Sequence, residues 1–217
     1  MAVVSDTVEI EIGPQRLKGL LGVPAGAEGL VIFAHGSGSF RLSPRNNRVA
    51  AALREAGLAT LLLDLLTPAE ERDRANVFDI ELLALRLSLA TDWSVAARAT
   101  AELAIGYFGA STGAGAALVA AASPGSPVAA VVSRGGRPDL AGDALPQVVA
   151  PTLLIVGSLD TQVVELNRMA YGRLPAPKEL AIVEGAGHLF EEPGTLDSVQ
   201  HHATRWFLYH MAGNGGA

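Results

Sequence analysis

Along this chain, short unbroken apolar runs alternate with longer stretches in which apolar positions recur every three or four residues. Thr7-Val8-Glu9-Ile10-Glu11-Ile12 alternates polar with apolar, the period of a strand with one face in water. Gly13-Pro14 then turns the chain into 17–23, which predicts an antiparallel hairpin. Residues 30–34 are apolar without a break, as strands buried on both faces are, and 59–63, closed by Asp64, read as another buried strand. Between them Val49, Ala52, Leu53 and Ala56 repeat at helical spacing, predicting a helix over 46–56 ended by Gly57. Residues 68–78 are polar and interrupted by Pro68. A helix is predicted from about Val77, capped by Asn76 with Asp79, and a second helical segment begins or joins at Asp92 and Trp93. Further strands are predicted around 105–109 and at 128–133, 151–156 and 179–183. Helices are predicted after Ser111, over 162–173, and through Leu196, Val199, Ala203, Trp206, Phe207 and His210.

Eight strands result, and from the third onward they alternate with helices. This is the pattern of an α/β fold, a mostly parallel sheet with an antiparallel start. Residues 1–217 read as a single domain, with 212–217 a disordered tail that has nothing to bury. The stretch 134–150 between the sixth and seventh strands is too short for a sizeable lid.

The chemistry gathers at the ends of these strands. In a parallel sheet every strand exit lies at one edge, so residues distant in sequence converge there. Gly109-Ala110-Ser111-Thr112-Gly113 stands between an apolar run and an Ala/Gly-rich helix. A sharp strand-to-helix turn at this place lifts a serine hydroxyl clear of the sheet, and a Cβ at either glycine would clash across it. A serine hydroxyl is too weak an acid to attack a carbonyl unaided and needs a neutral imidazole within reach. That imidazole needs a carboxylate to hold its tautomer. Asp160 ends the loop after the seventh strand, and His188 is the one histidine in a strand-exit loop beyond Ser111. Glu184 and Glu191 stand too near His188 in the chain to be its usual partner, and His201, His202 and His210 fall on the closing helix. For the oxyanion, the Thr112 N–H at the start of a helix is one donor; the loop after the third strand supplies the second, Ser37 before Gly38. His35 and Asp64 read as braces of that loop. Phe78 and Trp93 read as core residues before pocket residues. Arg134 and Arg137 leave the same sheet edge and are candidate substrate-binding cations; pairing with Asp139, Asp143 or Asp160 is the competing reading.

Composition narrows the field. There is no cysteine among the 217 residues, which removes disulfides, thiolate metal sites and a cysteine nucleophile. With no His-x-His or Glu-x-x-His array either, no metal and no cofactor are expected. A net charge of −6 argues against a nucleic-acid partner. No apolar run approaches the length of a membrane span, although hydrophobic residues make up 49% of the chain. The first residues carry Asp6, Glu9 and Glu11 without a basic stretch, so no secretion signal is read and a cytoplasmic protein is the expectation.

The order Ser111, Asp160, His188 is that of α/β-hydrolases. On Gly109–Gly113, Gly157-Ser158-Leu159-Asp160 and Gly187-His188, the chain resembles the dienelactone hydrolase family over residues 5–210. The resemblance implies a single-domain α/β-hydrolase with a Ser111–Asp160–His188 triad and a small ester as substrate. The family's type enzyme has cysteine where this chain has Ser111, so the dienelactone substrate itself is not implied. Similar modules occur fused to phosphoribosyltransferases; no such domain is read within these residues. A thioesterase or amidase with the same triad, and a ligand-binding protein on the same scaffold, remain open alternatives.

Overall fold

A computed structural model describes residues 7–211; the expected disordered tail, 212–217, lies outside them. The hairpin forms as the alternation dictates, β1 (Val8–Ile12) pairing antiparallel with β2 (Leu17–Gly22). β3 (Gly29–Ala34) and β4 (Ala59–Leu63) are buried at every residue, Thr60 of β4 included, as strands covered on both faces are. β5 (Ala104–Ala110), β6 (Val128–Arg134), β7 (Thr152–Gly157) and β8 (Lys178–Val183) complete one eight-stranded sheet in the order β1-β2-β4-β3-β5-β6-β7-β8. β2 meets β4 antiparallel, and all pairings from β4 through β8 are parallel.

The helices cover both faces. α1 (Pro44–Glu55) and α6 (Thr195–Met211) pack Val49, Leu53, Val199 and Phe207 against one face of the central strands. α3 (Ile80–Ala96), α4 (Thr112–Ala121) and α5 (Thr161–Arg173) cover the other with Leu87, Ala90, Leu118 and Ala170. A short α2 (Arg74–Val77) precedes α3. The β6–β7 connection is a 3-10 stretch, Pro138–Gln147, and holds no lid-sized insertion. Among the described residues, no helix is long and apolar enough to cross a membrane.

Three boundaries differ from the sequence reading. α1 begins at Pro44, two residues before Asn46, with Ser43 as N-cap. Proline fits the first helical position because the N–H it lacks has no helical acceptor there. The helix placed near Val77 is two: Asp73 caps α2 through the Ala75 N–H, and Asp79 caps α3 through the Leu82 N–H at 3.0 Å. The segment at Asp92 and Trp93 belongs to α3 itself, which runs unbroken to Ala96. Its apolar period is obscured by buried polar residues. Thr91 and Ser94 return their hydroxyls to the Leu87 and Ala90 carbonyls, and Arg86 pairs with Glu70 at 2.6 Å.

Candidate active site

Ser111 joins β5 to α4 with φ 50° and ψ −122°, a left-handed conformation that costs a side-chain-bearing residue energy. Its surroundings over-determine it. The Ser111 carbonyl accepts from the Ala114 N–H at 3.1 Å and the Arg137 N–H at 3.0 Å, while its N–H donates to the Arg134 carbonyl at 3.4 Å. A Cβ on Gly113 would collide with the Ala34 carbonyl oxygen, and one on Gly109 would lie 2.5 Å from the Ala114 Cα. Gly36 is just as close: its Cβ would sit 2.8 Å from that of Ser111. Register explains these neighbours. Gly109 lies opposite Ala34 on β3 and Ala110 opposite Arg134 on β6, so the two flanking exit loops lie on either side of the serine.

Asp160 occupies the N-cap position of α5, yet its side chain caps nothing. Its Oδ2 instead accepts from His188 Nδ1 at 2.6 Å, across the exits of β7 and β8. A carboxylate only accepts, so Nδ1 carries the hydrogen and Nε2 of the neutral ring is left as an acceptor. The β6 exit reaches both halves of the site. Beside Arg134, which bonds Ser111, a Cβ on Gly135 would lie 3.0 Å from the His188 carbonyl oxygen and 3.7 Å from Nδ1. Ser111, Asp160 and His188 therefore stand at one sheet edge, with the acid and imidazole already bonded.

The expected oxyanion donors are neighbours as well. The Ser37 N–H donates to the Thr112 hydroxyl at 3.2 Å, and the Thr112 N–H belongs to the first turn of α4, where the helix itself offers no acceptor. Behind this loop, Asp64 accepts from the Arg41 N–H at 2.6 Å and its guanidinium at 2.7 Å, and lies 3.8 Å from His35 Nε2. Burial holds His35 below the usual histidine range, against opposing pulls from the Gly36 carbonyl and Asp64. Among the described residues, no group of three or more metal-ligating side chains occurs.

No protein-family model matches the sequence. Over 210 residues the chain is 60% identical to two Mycobacterium tuberculosis proteins, each named "Putative phosphoribosyl transferase". The match covers 97% of this chain but 47% of theirs, so the chain spans about half the length of these relatives. A solved dienelactone hydrolase from Anabaena variabilis is 55% identical with a TM-score of 0.91, covering 95% of this chain and 98% of that one. The chain belongs to the dienelactone hydrolase family. Est1E from Butyrivibrio proteoclasticus shares the fold, with a TM-score of 0.81, 16% identity and coverage of 96% and 100%.

Within this dienelactone hydrolase framework Arg137 takes the internal pairing weighed against substrate binding, whereas Arg134 finds none of the three aspartates considered for it. Arg137 pairs with Asp139 through two bonds of 2.8 and 2.7 Å. Arg134 is 7% exposed, bonds Asn46 of α1 at 3.3 Å and lies over the Phe190 ring, with no carboxylate partner among the described residues. Its burial, aided by the nearby Arg45 charge, pulls the guanidinium down to about 10. Phe78 is not a core residue; it is 48% exposed beneath the Arg74 guanidinium, whereas Trp93 packs against the core. Two contributors escaped the sequence reading. Phe190, at φ 54°, anchors the His188 loop in the core, and Glu192 accepts backbone N–H groups within that loop, which holds its carboxyl below the usual range. Only their closeness to His188 in the sequence offered a signal.

Proposed function

We propose that this protein is a serine hydrolase that cleaves small carboxylic esters through an acyl-enzyme, with Ser111 as nucleophile, His188 as base and Asp160 as its orienting acid. The observation that carries this reading is the Asp160–His188 bond, made by an aspartate that sits at an N-cap and does not cap. A carboxylate diverted from a helix end to an imidazole fits tautomer control better than local structure. In the reaction, His188 Nε2 takes the Ser111 Oγ proton as Oγ bonds to the ester carbonyl carbon. The oxygen that gains charge takes hydrogen bonds from the Thr112 and Ser37 N–H groups, displacing the Thr112 hydroxyl from the latter. His188 then returns the proton to the departing alcohol. Water, deprotonated by the same nitrogen, releases the acid and frees the serine.

Family membership and the name of the Anabaena protein support hydrolysis; ester over thioester or amide is our reading. No cofactor, nucleic acid or membrane enters this scheme, and a cytoplasmic setting fits it. The transferase name borne by the longer Mycobacterium proteins is not carried to this chain. A fluorophosphonate probe is expected to label Ser111 alone, as read by peptide mapping. Ser111→Ala is expected to lose both label and turnover of p-nitrophenyl acetate. Label on another residue, or esterase activity persisting in Ser111→Ala, contradicts the assignment.

A further inference from the structure

Beside the proposed oxyanion donors, a pocket opens between the loop after β3 and the segment joining β4 to α3. Ser37 and Thr112 are among its lining residues, which places it beside the donors proposed for the oxyanion. Phe40, Leu66, Val77 and Leu83 make its wall apolar. Its free volume is about 20 Å³, little more than one water needs. A methyl or ethyl group fits such a space; a longer chain either moves the wall or leaves the pocket through its open side and loses the fit.

Among the described residues the charged lining of the pocket is a single carboxylate. Glu71 lines it, and Asp64 stands behind His35. The Arg41 charge is spent on Asp64 and Glu9, at 2.7 and 3.1 Å. His35, the other ionisable lining group, is kept neutral by burial, and Glu71 is pushed upward by burial and by the Asp64 charge. The arginines that might have balanced a substrate carboxylate are committed to Asp139 and to Asn46 with Phe190.

Resting on the serine-hydrolase reading, we propose that this pocket is the acyl site, that it selects short uncharged acyl groups, and that Glu71 turns away carboxylated ones. The wall sets length because a misfitting methylene costs about 10-fold or more in specificity. Glu71 sets charge because a carboxylate brought beside it meets a like charge.

The test compares p-nitrophenyl acetate, hexanoate and hemisuccinate, with active sites counted by the fluorophosphonate probe so that only folded enzyme is scored. Wild type is expected to favour acetate over hexanoate by about 10-fold or more in kcat/KM. Leu66→Ala should narrow that ratio about 5-fold, and Val77→Ala serves equally if the first variant takes no label. Glu71→Gln should raise hemisuccinate relative to acetate by roughly 5-fold. A labelled, active enzyme with equal acetate and hexanoate rates, or with ratios unmoved by these variants, overturns the acyl site and leaves the nucleophile standing. Absence of label and of turnover on all three esters overturns the serine-hydrolase reading, and this inference with it.

Discussion

Ser111 is held in its strained conformation by what its neighbours lack. Gly113→Ala would drive a methyl group into the Ala34 carbonyl, and neither backbone can yield without disturbing β3 or α4. A cost of about 1–3 kcal/mol or more is expected, read as a fall in Tm together with loss of Ser111 labelling. Asp160 and His188 should behave as one device. Asp160→Asn, which leaves the shape but not the tautomer control, is expected to lower kcat by about 10³–10⁴-fold. Added to His188→Ala it should cost little more, and additive losses would show that the pair acts separately. Arg134 makes the opposite kind of prediction. A buried guanidinium bonded to one amide and one aromatic face is an expensive group to keep. Arg134→Met should therefore keep or raise Tm, whereas Arg134→Ala, which leaves a void, should lower it. A Tm for the methionine variant as low as that for alanine would mean that the charge itself stabilises the fold.

Elements were legible in the sequence where one face of the pattern was clean. β3 announces itself as an unbroken apolar run, and the serine turn lies where glycines leave no alternative. The nature of α3 was harder to read. Arg86, Thr91 and Ser94 interrupt its apolar stripe, and only the structure shows each bonded to Glu70 or to the turn before it. The 3-10 stretch over 138–147 has neither period and gave no sign of itself. At the site, the sequence supplied the residue types and their order, but not the partner of Arg134, since pairing depends on which side chains meet beneath α1. Polar joints of this kind also tie elements together. The Tyr107 hydroxyl of β5 bonds Thr91 of α3 at 2.6 Å in a buried setting that pushes the phenol up to about 12. Tyr107→Phe is expected to cost about 1–2 kcal/mol, measured by urea denaturation. An unchanged midpoint would show that the α3–β5 contact rests on apolar packing alone.

Across the whole molecule, partly buried histidines tie stability to acidity. His35, and to a lesser burial His202 and His210, have values pulled below the usual range by desolvation. Below about pH 6.5 the unfolded chain takes protons that the folded one resists. Their contribution is thus complete above that pH and is lost as pH falls through the folded values. Tm should decline between pH 7.5 and 5.5, and His35→Gln should flatten the decline; an identical slope would place the effect on α6. The sheet order has a different consequence, one of timing. Ser111, Asp160 and His188 leave three separate strands, and the last of them follows β8, at the sheet's far edge and late in the chain. Helical signal can return on refolding before that strand has docked, but on the proposed mechanism a reactive serine cannot, because its proposed base, His188, arrives with β8. Fluorophosphonate reactivity is therefore the last property a refolding molecule should regain, a clock for completion of the sheet.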